Sequence, residues 1–391
     1  IEPRMIDAER GRDLFDQYRS SFDVRSYGST TSNPTGWVVV AVTSAISLWR
    51  MPLLMTMSVL GLTLAGALGT WRLATVFPSS RARIAATVVY TGAPLVPGIL
   101  GRGDFGALVW FAALPWMLHL LRRVAGLGTA DPSAAKYDLT DGVADPGLWS
   151  RARSAAFGAL VLALAAAFEP VVIVLFLLCG ALVAAATLLA GGVWRVAAWM
   201  FGGTAIVALA AYALNLPWAS QWSWDDLVGV SAAGATGRSL FDVASLADDR
   251  TRFGVLAVAL YVPVLAALAI TRAWRLTWSA RGAALVVAFG GLLVASNRAA
   301  LDTSLPRDSL LAVPVLLGLS LCAAAVVGGF VADVLDRGFG WRQPAGIVSG
   351  AAIVVGLVPG VISIGDGAWH MPETPLTTYL ASQLPVDPAV G

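Results

Sequence analysis

Ten stretches of this chain are apolar for about the length a helix needs to cross a bilayer. They lie at about 53–71, 84–99, 106–121, 155–169, 171–190, 196–214, 254–271, 282–297, 309–331 and 345–364. Hydrocarbon offers no partner for a backbone N–H or C=O, so such a run satisfies its own groups by becoming a helix. Several runs are short for a span, and their helices are expected to extend by a few residues. The chain is 57% apolar and 13% charged, against roughly 45–50% and 25% for soluble domains. That excludes a soluble single-core enzyme and a disordered chain. The expected fold is an all-α polytopic integral membrane bundle of about ten transmembrane helices. The run Trp37–Leu48 is too short to cross and reads as a re-entrant or interfacial helix feeding the first span.

Charge orients the bundle. The net charge is +2, from 26 basic and 24 acidic side chains, with no basic stripe of the kind nucleic acid requires. The loops alternate in basic content. Loops 72–83, 122–154, 191–195, 272–281 and 332–344 hold 14 Arg and Lys residues, whereas 100–105, the turn at Pro170, 215–253 and 298–308 hold 6. The positive-inside rule assigns the first set to the cytoplasm. The expectation is a multi-pass protein of the cell membrane with both termini of the chain outside. Residues 1–36 are then an extracytoplasmic juxtamembrane segment, 37–364 the membrane domain, and 365–391 an extracytoplasmic tail. Opening at Ile1 without a charged and then apolar leader, the chain reads as a piece of a longer protein, its tail leading to a further domain. Tryptophans such as Trp49, Trp71, Trp116, Trp194 and Trp278 sit near span ends, where amphipathic rings settle at headgroups. Pro94, Pro97, Pro115, Pro263, Pro314 and Pro359 fall inside spans and predict kinks or breaks. Cys179 and Cys322 lie in apolar runs as small buried hydrophobes.

Four constellations can carry chemistry, and all lie in segments assigned to the outside. In the amino-terminal segment, Asp13, Asp16 and Gln17 share a helical face by their spacing, with Arg4, Arg10, Arg12, Arg19 and Arg25 nearby. Paired carboxylates beside arginines suit sugar-phosphate transfer: one takes the acceptor hydroxyl proton and guanidinium groups hold the departing phosphate. The alternative is an amphipathic helix with solvated ion pairs. The turn Gly101-Arg102-Gly103-Asp104 fixes Arg102 at the membrane surface, either to hold a lipid phosphate or only to pair with Asp104. The loop Trp222-Ser223-Trp224-Asp225-Asp226 offers rings that stack on sugar faces and carboxylates that accept hydroxyls; it also reads as an interfacial anchor. Glu169 lies between two apolar runs, and an acid near membrane depth is a functional candidate by default, although Pro170 marks a turn that brings it to the surface. His119 and His370 are isolated, and no metal-ligand spacing occurs.

The stretch Asp13-Leu14-Phe15-Asp16-Gln17-Tyr18, continuing to Phe22, Tyr27-Gly28-Ser29 and Asn33-Pro34, resembles the segment before the membrane domain of large glycosyltransferase family 2 proteins of GC-rich Gram-positive bacteria. Gly101-Arg102-Gly103 and Trp369-His370-Met371-Pro372 resemble further motifs of that family. Phe15 and Phe22 stand where the family often has Trp. A weaker resemblance runs to the GT-C arabinofuranosyltransferases, which implies a GT-C-like bundle with a polyprenyl-phosphate sugar donor.

The family resemblance implies a cytoplasmic GT-A domain ahead of this piece. Any divalent metal belongs to that domain, and no cofactor is expected in this chain. The expected function is the membrane portion of a cell-envelope glycosyltransferase. Its partners are the bilayer, a polyprenyl-phosphate sugar and a glycan acceptor. Asp13 and Asp16 are the catalytic candidates and Arg102 the lipid-phosphate ligand; Glu169, Trp222, Trp224, Asp225 and Asp226 are the substrate contacts. The alternatives are a flippase of a lipid-linked glycan and a non-catalytic scaffold for a fused GT-A domain.

Overall fold

The computed structural model describes residues 34–127, 146–228, 238–247, 251–298, 300, 305–330 and 340–365. Every regular element among them is helical. Eight helices are long and apolar enough to cross a membrane. In chain order the α-helices are α1 (Thr35–Ile46), α2 (Met51–Leu73), α3 (Ser80–Gly92), α4 (Leu95–Gly101), α5 (Phe105–Val124), α6 (Gly147–Ala166) and α7 (Val172–Leu189). After them come α8 (Trp194–Leu214), α9 (Trp224–Val228), α10 (Leu240–Ala244), α11 (Val262–Ile270), α12 (Trp274–Asn297), α13 (Asp308–Gly329) and α14 (Arg342–Gly365).

The centre of the bundle is α13. All of its residues except Asp308 and Val327 are buried, and α12, α3, α11, α5, α14, α4 and α7 surround it. A helix that is apolar on every side suits such a place. Peripheral helices show the opposite face. On α2, Leu53, Met57, Leu60, Leu64 and Leu68 are exposed at the three- and four-residue spacing of one helical face. In water that stripe would be an aggregation hazard; against acyl chains it is the expected surface.

Lipid is as apolar as a leucine side chain, so helices in a bilayer associate through close packing and hydrogen bonds. Small residues permit the approach. A Cβ on Gly318 of α13 would lie 2.5 Å from the Gly282 carbonyl oxygen of α12, and one on Gly282 would lie 2.9 Å from the Gly318 carbonyl. The two backbones therefore touch. Between α2 and α5, Gly66 faces the Phe111 ring and Gly69 the Trp116 ring, and the Trp116 indole donates to the Ala65 carbonyl at 2.8 Å. The Tyr90 hydroxyl of α3 donates to the Phe111 carbonyl at 2.7 Å while the two rings stack.

The prolines divide into two groups. Between α3 and α4 the chain breaks at Ala93, which is extended at φ -68 and ψ 151, the conformation favoured before a proline such as Pro94. The expected span at 84–99 is thus two helical pieces that together cover Ser80–Gly101. By contrast, Pro115, Pro314 and Pro359 lie inside continuous helices, where packed neighbours support the freed carbonyls. The segment expected at 254–271 is a 3-10 helix over Gly254–Tyr261 followed by α11, with Pro263 in its first turn. The segment expected at 155–169 is the latter part of α6, whose first turns carry Arg151 and Arg153. Helix α1 is the short element anticipated at Trp37–Leu48. Gly36 packs on Ala167, and Val40 and Ala41 pack with Leu54 and Phe168.

Contacts at the helix ends sort the loops into two groups. At one end Thr75 meets Arg122, Phe77 meets Trp274, Arg151 lies over Trp199 and Thr187 meets Arg281. At the other, Asp104, Glu169 and Arg307 meet, Asn297 bonds Arg238 and Asn215 bonds Ala163.

The glycine contact yields a test. Gly318→Ala places a methyl group against backbone and should cost about 1–3 kcal/mol, the usual price of overpacking. It should lower the midpoint of thermal unfolding in detergent. Gly202→Ala on α8, where a Cβ meets nothing within 4 Å, should leave that midpoint unchanged or slightly raised. Equal melting of both variants would show that α12 and α13 do not cross backbone to backbone.

Candidate functional site

At the end opposite the Thr75–Arg122 contact, the first residues of α13 gather side chains from distant parts of the chain. Asp104 is the N-cap of α5, and its Oδ1 accepts from the Ala107 amide at 3.2 Å. The same oxygen lies 3.2 Å from Arg307 Nη1, and Oδ2 accepts from the Ser309 hydroxyl. The other guanidinium nitrogen of Arg307 donates to Glu169 Oε2. One arginine just ahead of α13 thus bridges two carboxylates from two other turns. The side chains of Asp104 and Glu169 are largely buried while Arg307 is 45% exposed. Gly106 makes the cluster possible, because any side chain there would meet the Glu169 carboxylate.

Beside this bridge is a cavity of about 30 Å³, lined by Leu95, Arg102, Arg238, Leu293, Asp308 and Ser309 among others. One water needs roughly 10–15 Å³ by this measure, so the space admits about two waters or anionic oxygens and is too small for a sugar ring. Arg102 is exposed, and the turn is completed by Gly103 at φ 65, a left-handed conformation that glycine adopts at no steric cost. Arg238 donates to the Ala247 carbonyl at 2.8 Å, while its own carbonyl accepts from Asn297 at 2.8 Å. That bond docks the 238–247 segment on the last turn of α12. The Ser239 hydroxyl then caps α10 together with Asp242. Bonding from Ser239, helped by the Arg238 charge, holds the Asp242 carboxyl below the usual carboxylate range. Asp308 is tied as well, accepting from Ser296 at 3.1 Å.

The tryptophan loop follows α8. Trp222 sits edge-on to both Trp218 and Tyr212, with ring centroids at 5.2 and 5.6 Å. Trp224 is 74% exposed, and Asp225 is exposed as well. Asp226 accepts from the amide and hydroxyl of Ser223, at 2.8 Å each, and so serves as a local cap. The predicted residues therefore occupy three places at this end: Arg102 at the cavity, Glu169 in the Arg307 bridge, and Trp222–Asp226 in an aromatic loop. Asp13 and Asp16 lie outside the described residues. No group of His, Cys, Asp and Glu able to hold a metal ion occurs among the described residues.

Asp104, Arg238 and Arg307 were not singled out as site residues from sequence. The available signal was the small number of arginines in the outer loops, since a basic residue kept where they are scarce has a local reason to be there. Comparison with family models, with curated proteins and with solved structures finds no match to this chain.

Arg307→Ala leaves two largely buried carboxylates without their shared cation. It should destabilise the protein by about 1–3 kcal/mol, as expected for hydrogen bonds to charged groups. Adding Asp104→Asn and Glu169→Gln to Arg307→Ala should recover part of that loss. Thermal melting of the single and combined variants reads the coupling, and strictly additive effects would mean the bridge contributes nothing.

Proposed function

We propose that this chain is the membrane portion of a cell-envelope glycosyltransferase, acting on or near a polyprenyl-phosphate-linked sugar or an envelope glycan. On this reading the bundle is GT-C-like, lies in the cell membrane with its arginine-rich end in the cytoplasm, and crosses ten times. Two features support the two further crossings. Helix α6 has 20 residues, about 30 Å of α-helix. The 3-10 helix Gly254–Tyr261 and the nine residues of α11 also span about 30 Å, because the 3-10 form rises about 2.0 Å per residue. That equals the hydrocarbon thickness.

The observation that carries the reading is the exposed Arg102 guanidinium beside Arg238, at a cavity that ends on Ser309. Two guanidinium groups at a helix-end surface suit the phosphate of a lipid carrier. The cavity is too small for the sugar, which then lies outside it. There the exposed Trp224 ring can stack and the Asp225 carboxylate can accept a hydroxyl. Asp104, Glu169, Asp226 and Asp308 are engaged by Arg307, Ser309, Ser223 and Ser296. This supports giving the general base to Asp13 or Asp16. A divalent metal, on this reading, belongs to a transferase domain outside this chain.

The test uses full-length protein and a polyprenyl-phosphate sugar donor. Asp13→Asn with Asp16→Asn should lower transfer by about 10²–10⁴, the usual cost of losing a general base, without loss of expression. Arg102→Ala should raise the KM for the donor more than it lowers kcat. Wild-type transfer by the double Asp variant would remove catalysis from this chain and leave it as a scaffold for a fused domain.

A further inference from the structure

The opposite end of the bundle has a different charge balance. Twelve of the described arginines lie there. Six of the twelve are exposed, as expected at a membrane surface, and two, Arg122 and Arg281, are buried. Arg122, in the last turn of α5, is only 5% exposed. Its guanidinium makes one hydrogen bond, from Nη2 to the Thr75 hydroxyl at 2.7 Å. That hydroxyl in turn donates to the Arg72 carbonyl at 2.6 Å. Nε and Nη1 of Arg122 are buried and have no hydrogen-bond partner. Among the described residues, the charges that act on Arg122 are Arg123 and Arg83, and both repel it. One turn back, His119 is half-buried with an unpartnered Nδ1, in the field of Arg72, Arg122 and Arg123.

A buried cation whose charged neighbours, among the described residues, are all cations is costly to hold unless an anion completes it. The planar guanidinium fork matches the oxygens of a phosphate group. Basic pockets between transmembrane helices are a known setting for lipid phosphate headgroups. We propose that Arg122, with Arg123, Arg83 and His119 around it, forms a second anion site that takes a phosphate ester at the arginine-rich end of the bundle. Thr75 holds the Arg122 fork from behind, through its bond to the Arg72 carbonyl, and leaves the other two guanidinium nitrogens for the ligand. The site lies at the far end from the Arg102 cavity and does not depend on the glycosyltransferase reading. A phosphate ester reaches it either as the headgroup of an anionic lipid or as a soluble phosphate compound.

The experiment compares the whole chain in nanodiscs of phosphatidylcholine alone and of phosphatidylcholine with phosphatidylglycerol, and in neutral detergent with and without millimolar inorganic phosphate. Phosphatidylglycerol or phosphate should raise the melting midpoint of the wild type by about 3 °C or more, as ligand linkage predicts. Arg122→Met, which removes the buried charge but keeps an apolar stem, should melt at or above the wild-type midpoint without anion and lose the response to it. Arg123→Ala, at an exposed position and safe for folding, should weaken the response. Arg81→Ala, exposed at the same end, should keep it. A response to phosphatidylglycerol alone assigns the ligand to lipid, and a response to free phosphate assigns it to a soluble compound. An equal response to anions in the wild type, Arg123→Ala and Arg122→Met, or none in the wild type, overturns the site.

Discussion

A helix of uniformly apolar side chains, surrounded by other helices in an apolar solvent, gains nothing further from the hydrophobic effect. What keeps α13 at the centre is the closeness of its contacts and the polar groups at its ends. Gly318 and Gly282 bring two backbones together, and each additional atom pair at contact distance adds only about 0.1–0.2 kcal/mol, so the gain depends on many pairs meeting at once. The polar part is concentrated at the N-terminus of α13. Arg307, Asp308 and Ser309 there bond Glu169, Asp104 and Ser296. The central helix therefore both organises the bundle and supplies one wall of the Arg102 cavity. A shift of α13 along its axis would disturb the packing and the candidate site together.

The membrane helices could be read from hydropathy because lipid imposes a single condition on backbone polar groups. Which helix is central could not. Helix α7 has a mean hydropathy of 2.8 and α13 of 2.6, yet α13 is enclosed and α7 is only partly buried. Lipid and protein interior are alike in polarity, so hydropathy cannot separate them. The distinguishing feature is size: Gly318, Ser320, Gly328 and Gly329 are small enough to admit neighbours on several sides. Prolines were informative only in context. Pro94 follows a break at Ala93, which is extended as residues before proline tend to be, whereas Pro314 is buried inside a continuous helix.

The same division applies to the candidate site. Loop charge counts put Arg102 and Glu169 with the outer loops, and the structure brings both to the end where Arg307 and Arg238 lie. Residue spacing along the chain carried no trace of the Arg307 bridge. Its carboxylate partner Glu169 is 138 positions away, and Ser309 and Asp104 are separated by 205. Only the antiparallel return of successive helices brings those positions to one surface. Contiguity in one loop placed Trp222 and Asp226 together, but it could not show that Asp226 is taken up by Ser223.

Arg122 and Arg123 show how one step along a helix separates two roles for the same residue type. Adjacent helical positions differ by about 100° in direction. Arg123 points away from the bundle and can extend its head toward water, as arginines near helix ends commonly do. Arg122 points at the junction of α2 and α3, where Thr75 and the Arg72 carbonyl fix it below the surface. The positive-inside rule explains an excess of arginine in a loop, because such side chains are solvated and need only stay on one side of the membrane. It does not explain a guanidinium group that has given up its water and found one hydroxyl in return. At the other end of the bundle, buried charge is balanced within the protein, by Arg307 between two acids. At this end the proposed phosphate ester would supply the balancing charge for Arg122.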